Sequence, residues 1–351
     1  MSITIVRKES SRIKEEYLGL KEKNPQIRAR DAAGQIGISE AELVASRLGE
    51  GVTRLVSNWK EMLPAIKAFG KVMGLTRNEY AVHERKGIYD NATIDSPHSI
   101  FVNPDIDLRI FLSHWQFAFA VNEETKSGLR HSLQFFDKDG SAVHKVYLEK
   151  ESDMNAYQEY VSKFKADDQS PKLDIQPYAP KKSDRPDSEI DLKEFRTAWE
   201  GLQDTHDFFP MLMKYKIGRV QALRLIGEDL AYKVSNVSFR KLLNIASERK
   251  CEIMIFVGNT GCIQIHTGLV SNLKEFGTWY NVLDPDFNLH LREDAVMTSW
   301  VVKKPTKDGV VTSLELFDKD NQNIALLFGK RKPGIPELVA WREIINELEK
   351  I

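Results

Sequence analysis

At 351 residues the chain exceeds the usual reach of one hydrophobic core, so two domains are expected. Apolar residues make up 42% and charged residues 29%, and 50 basic against 51 acidic side chains leave a net charge of −1, which argues against a nucleic-acid backbone as the main partner. No apolar run approaches the length of a signal peptide or membrane span, and Cys251 and Cys262 stand in no metal-site or CxxC spacing, so a chain that is not membrane-embedded and acts in the cytoplasm is expected.

In chain order, helices are expected over 11–23, 28–37 and 39–47, the third opened by Ser39 with Glu42 completing a capping box. IFVNPDIDLRIFL and SLQFFDKDGSAVHKVYL then place apolar β-type runs around polar turns, a hairpin signal. A charged, proline-rich stretch over 166–187 reads as a linker. Beyond it Ser188 is expected to cap a helix carrying Phe195, Ala198, Trp199 and Leu202 at helical spacing, with helices continuing over 208–214 and 219–231. WYNVLDPDFNLHL and SLELFDKDNQNIALLF repeat the hairpin signal.

The chain also resembles itself. Residues 78–147 align without a gap on 259–328, at an offset of about 181. NPDIDLRI falls on DPDFNLHL, Gly87 on Gly268, and the Asp-Lys-Asp turn at 137–139 on 318–320. The expected fold is α+β, a tandem structural repeat in which each half is an antiparallel β-sheet with flanking helices. Its parts are an N-terminal repeat over 1–165, the linker over 166–187 and a C-terminal repeat over 188–351.

Several segments invite a functional reading. Residues 28–47 have the outline of a helix-turn-helix, but Glu40 and Glu42 open its second helix and would repel phosphate, so a packing hairpin is expected. The dinucleotide fingerprint, P-loop, HExxH and nucleophile elbow are absent. Of the eight histidines, His98, His114, His131 and His144 read as surface or strand residues, His266 and His290 as half-buried strand residues, and His83 as exposed among charges. His206 sits between two expected helices beside Phe208, Phe209, Met211 and Met213, either as a satisfied structural histidine, which residue types favour, or as ligand to a planar apolar cofactor. Arg109, Lys303, Lys304, Lys330 and Arg331 are either solvated strand residues with snorkelling stems or cations gathered on an acidic ligand.

RNEYAVHE, IDLRIFL, DTHDFF, KVSN, FVGNTGCIQI, KPTKDG and VTSLELFD resemble the bacterial haem-utilisation proteins of the HemS/ChuS/PhuS type, and the resemblance runs from KEKNP near residue 21 to the C-terminal helix. It implies a cytoplasmic protein that binds imported haem and either delivers it onward or supports its reductant-dependent degradation. By the same resemblance His206 is the axial iron ligand, Arg109 the distal cation, and Lys304 and Arg331 meet the propionates. His83 is a secondary candidate ligand, while Phe111, Phe208 and Phe209 cover the porphyrin, expected where the two halves meet. Phe328 stands where relatives carry tyrosine and Lys330 where glutamine is common. The implied partners are haem, a haem oxygenase or an inner-membrane haem importer, with an external electron donor if degradation occurs. Carrier and degrading enzyme stay open at this point, and fold texture alone suggests a third reading, a split-barrel flavin-binding protein.

Overall fold

Antiparallel strands and short helices build the computed structural model, which describes residues 8–95, 99–125, 128–180, 183–331 and 334–351; His98 lies outside the described residues. Phe117–Thr125, Gly128–Phe136 and Ala142–Leu148 form an antiparallel meander, flanked by Val52–Leu55 on one side and Val72–Arg77 on the other. Later in the chain Thr298–Thr306, Gly309–Phe317 and Asn323–Gly329 do the same, flanked by Ala231–Val234 and Ile253–Gly258. The three central strands of the second set begin 181 positions after those of the first, as Gly309 follows Gly128. Even the ladder irregularity recurs, at Phe135/Phe136 and at Leu316/Phe317.

Both meanders turn on an aspartate. Oδ1 of Asp137 accepts from the backbone N–H groups of Asp139 and Ser141 at 3.1 and 3.2 Å, and Oδ1 of Asp318 from those of Asp320 and Gln322, both at 2.8 Å. The fourth turn residue must take a positive φ, 80° at Gly140 and 56° at Asn321, which is why glycine and asparagine stand there.

Packing divides the described residues into two compact units. The first comprises the chain up to Thr76, Lys86–Ala179 and the short loop Asn259–Cys262. Its strand Phe117–Thr125 is buried on both faces: Ala118 and Ala120 pack with Met62, Phe69, Phe135 and Tyr157, while Phe117, Phe119 and Val121 pack with Ala41, Val44, Phe136 and Leu173. Helices Ser10–Lys23, Ala29–Ile36 and Glu40–Ala45 form where expected. The capping box is present, with Glu42 accepting from the Ser39 N–H at 2.8 Å. Glu40 is buried and ion-paired with Lys145, and Ala32, Ala33, Ile36 and Leu43 pack together, so 28–47 is a packing hairpin. The stretch expected as a linker lies partly along this unit, where Gln169 Nε2 donates to the Arg54 carbonyl at 2.9 Å and Leu173 is buried. Asn259–Cys262 are stitched in as well: the Gly261 carbonyl accepts from Phe111 N–H at 3.0 Å and from Trp115 Nε1 at 2.8 Å.

The second unit comprises Arg77–Arg85, Pro180–Gly258 and Ile263–Ile351. Phe287–Arg292 pairs here with the Ala81–Arg85 part of an earlier strand and with Trp279–Leu283. Helices Ser238–Glu248 and Val339–Asn346 bury Leu242, Leu243, Trp341 and Ile344 against one face of its meander. Helices Leu192–Glu200, Phe208–Tyr215 and Arg219–Leu225 bury Phe195, Trp199, Phe208 and Leu223 against Trp300, Val302 and Phe317.

Two expectations are corrected here. The first helix of this unit is capped by Asp191, whose carboxylate accepts from Lys193 and Glu194 N–H, and not by Ser188, which lies in a preceding 3-10 turn. The helix expected over 219–231 ends at Leu225, because Gly227 takes φ 102° and Ala231–Val234 leaves as a strand paired with Thr298–Thr306. No helix among the described residues is long and apolar enough to cross a membrane.

Candidate functional site

The second unit presents an exposed histidine whose orientation is fixed by its own turn. Asp204, Thr205, His206 and Asp207 form a 3-10 turn leading directly into Phe208–Tyr215. Asp204 caps it: its Oδ1 accepts from the His206 N–H at 2.9 Å, and its own N–H donates to Asp207 Oδ2 at 3.0 Å. The same Oδ1 lies 2.6 Å from His206 Nδ1. The backbone N–H and ring of His206, with Arg331 nearby, hold the Asp204 carboxyl below its ordinary range.

The His206 side chain is 83% exposed, and its Nε2 has no hydrogen-bond partner among the described residues. Phe209 and Met213, 64% and 63% exposed, follow at helical spacing and extend that side with apolar surface. Arg331, half-buried, donates from Nη1 to Thr205 Oγ1 at 3.4 Å and so sets a cation beside the turn. An outward imidazole nitrogen, exposed apolar side chains and a guanidinium fit a flat apolar ligand that carries a metal and acidic groups. Among the described residues no group of three or more His, Cys, Asp or Glu is placed to hold a bare metal ion.

Behind the turn lies a buried charge cluster. Glu315 is forked by Arg219 at 2.7 and 2.8 Å and also accepts from Lys304 Nζ at 2.8 Å and Ser313 Oγ at 2.9 Å. Burial pushes its carboxyl up, but the two cations overcome this and hold it well below the usual range. Burial pulls the Lys304 ammonium down to about 8 against the attraction of Glu315. Phe208, buried, stands over both cations, 4.6 Å from Lys304 and 5.0 Å from Arg219, with Trp199 edge-on at 4.7 Å. The resemblance sends Lys304 to a propionate; here its charge is already answered by Glu315 and its side chain is 3% exposed. Lys330 is likewise paired, with Glu252 at 2.8 Å. Phe328 packs on Phe256, 5.2 Å between ring centroids.

His83, expected to be exposed, is buried. Its strand alternates, so Ala81 and His83 face inward while Val82 and Glu84 do not. Its ring lies 5.0 Å from Phe287, which is stacked face to face on His266 at 3.7 Å. His266 is fully rather than half buried, and His290, half-buried as expected, bonds Asn281 at 2.7 Å.

In the first unit Leu108 and Ile110 point into the core and Arg109 does not; its guanidinium pairs with Asp107 and donates to the Leu108 carbonyl at 3.3 Å. Burial pushes the Asp107 carboxyl up despite that pairing. Phe111 is half-buried where the strand ends. His144 is buried between Thr76 Oγ1 at 2.8 Å and Tyr89 Oη at 2.6 Å, while His114 and His131 bond Tyr178 and Asn122. Asp204, Glu315 and Arg219 were not singled out from the sequence. A glutamate amid the apolar run SLELF was the available signal for Glu315, and DTH for Asp204.

The architecture is α+β, two meanders of antiparallel strands with flanking helices and matching strand boundaries. The family model described as the haemin-degrading HemS.ChuX domain matches the chain twice, over residues 37–164 and 216–348, and the chain belongs to that family. It is 43% identical to the hemin transport protein HemS of Yersinia enterocolitica, over 97% of this chain and 98% of that one. Among solved structures it is similar to holo-PhuS, a heme-binding protein from Pseudomonas aeruginosa, at 44% identity and a TM-score of 0.96, covering 98% of this chain and 100% of the other. It is also similar to ChuS, a heme degrading enzyme of Escherichia coli O157:H7, at 39% identity and a TM-score of 0.91, covering 97% and 100%.

Proposed function

We propose that the protein binds haem, with Nε2 of His206 as the axial iron ligand, and that it acts in the cytoplasm as a haem carrier. The observation that carries this reading is the imidazole itself: 83% exposed, tied at Nδ1 and open at Nε2. Neutral imidazole is a good haem ligand, and a single protein ligand leaves the iron's other axial position exchangeable, as a carrier needs. Phe209 and Met213 offer the apolar surface a porphyrin requires, and Arg331 a fixed cation for a propionate. We assign Lys304 to the support of Phe208 and Glu315 instead of to the ligand. Haem supplies redox-active iron when bound; the chain's own residues bind and orient it. The names of the relatives support haem as ligand, since they describe a hemin transport protein, a heme-binding protein and a heme degrading enzyme.

The distal role of Arg109 and the covering role of Phe111 rest on the family resemblance, as does the secondary place of His83; Arg109→Ala, read by the haem spectrum, tests the first. A second reading, reductant-dependent haem degradation with electrons from an outside donor, draws on the name of the E. coli relative. One experiment separates the two: titrate the purified protein with haemin, add ascorbate with catalase present, and follow the Soret band. Haem that persists and moves to an acceptor, a haem oxygenase for example, supports the carrier, whereas loss of the band with iron release supports degradation. An unaltered spectrum in His206→Ala would overturn the ligand assignment.

A further inference from the structure

We infer that Asp204 is a positioning residue for the axial imidazole: its carboxylate takes the Nδ1 proton of His206 in a hydrogen bond, fixes the tautomer that leaves Nε2 free for iron, and makes that nitrogen a stronger electron donor. The inference rests on the haem reading above and deepens it.

The 2.6 Å separation of Asp204 Oδ1 from His206 Nδ1 is the short contact of a charge-assisted hydrogen bond. A neutral imidazole can carry one ring proton, and an anionic acceptor at Nδ1 holds it there, so the lone pair faces outward on Nε2. Metal-bound histidines are commonly held this way, because an acceptor on the far nitrogen fixes the ring and raises ligand basicity.

Asp204 is not a wandering surface acid. Its backbone N–H is bound by Asp207, its Oδ1 already accepts the His206 N–H, and Thr205 Oγ1 lies 3.4 Å from that same oxygen. The acceptor is therefore set by the turn before any ligand arrives, so placing it adds no ordering cost to binding. Arg331 keeps a positive charge on the same turn through Thr205. A more basic axial nitrogen favours ferric over ferrous iron, which suits a protein that must hold oxidised haem until transfer.

Asp204 also caps the turn, and a cap alone would account for its presence. Asp204→Asn separates the roles, since asparagine caps as well as aspartate and still accepts both N–H groups, but carries no charge. The full-length protein, loaded with haemin, is compared with Asp204→Asn, Asp204→Ala and His206→Ala. The measurements are the iron–histidine stretch of the reduced form by resonance Raman, the haem reduction potential, and the rate of haem release to apomyoglobin. Asp204→Asn should keep its thermal midpoint and Soret band while the stretch falls, the potential moves positive and release quickens ~10-fold. Asp204→Ala should go further in the same direction. If Asp204→Asn leaves both the stretch and the potential at wild-type values while His206→Ala alters the spectrum, Asp204 is a cap only and the inference is overturned. If His206→Ala also leaves the spectrum unchanged, the axial assignment itself falls, and this inference with it.

Discussion

Lys304 Nζ lies 2.8 Å from Glu315 Oε1 inside the second unit, with both side chains withdrawn from solvent. Arg219 reaches the same carboxylate with two hydrogen bonds. A lysine that sequence alone offers as a ligand contact is thus part of the floor on which Phe208 and the His206 turn rest.

Glu315 should be the costliest member to lose. Glu315→Gln leaves the buried Lys304 and the half-buried Arg219 without a counter-charge and is expected to lower stability by about 3–5 kcal/mol. Lys304→Met leaves the Arg219 fork intact and should cost less than about 2 kcal/mol. Urea denaturation ranks the two, and equal losses would show that the carboxylate is not the hub.

Arg331 and Lys304 should separate ligand binding from stability. Arg331→Ala is expected to weaken haemin binding ~10-fold while leaving the thermal midpoint within about a degree, because among the described residues the half-buried guanidinium makes one long bond, to Thr205. Lys304→Met should do the reverse. Haemin titrations and calorimetry on the same two variants decide the matter.

Two buried histidines predict acid sensitivity. Burial holds His144 and His266 down to about 3, with Thr76, Tyr89 and Trp115 around the first and Arg85 and Phe287 beside the second. The unfolded chain, with ordinary values near 6.5, binds more protons below that pH, so stability is full above about 6.5 and drains as pH falls toward 3. Each should remove on the order of 2 kcal/mol between pH 6.5 and 5. Glu315, held low by its cations, adds loss only below about 4.5. Removing one titrating group with His266→Phe should flatten stability against pH above 5; a slope identical to wild type would refute the assignment.

Gly329 sets the approach of the C-terminal helix. A Cβ there would sit 2.6 Å from Trp341 Cγ, and that ring is fully buried with Nε1 donating to the Thr312 carbonyl at 3.0 Å. Gly329→Ala is expected to cost about 1–3 kcal/mol through overpacking, with a shift in tryptophan emission. An unchanged melting midpoint would mean the helix moves aside freely.

The fold was legible where chemistry is local. The Asp-Lys-Asp turns announce both central hairpins, and Ser39 with Glu42 announces a helix start, because each relation spans only a few residues. Burial was harder to read. His83 has Glu84 and Arg85 as sequence neighbours, but a strand sends Glu84 to the opposite face. Lys303 and Lys304 look alike in sequence, yet only one can face inward, and the deciding partner, Glu315, lies on the next strand of the hairpin. His206 shows the remaining limit: residue types leave it a structural histidine, and only the resemblance marks it as a ligand. Its exposure, and the carboxylate that turns its ring, are three-dimensional facts.

The loop Asn259–Cys262 gives the first unit an unusual timetable. On the ribosome, the main part of that unit is complete when Ala179 emerges, but its final four residues follow about 80 residues later. At ordinary translation speeds the wait is roughly 4–16 s. Through that interval the Trp115 indole N–H and the Phe111 N–H lack the Gly261 carbonyl that binds both in the finished protein. The nascent first unit must therefore persist with an open seam beside its own Phe111 strand end, and a chain halted before residue 259 should be a preferred substrate for chaperones or proteases.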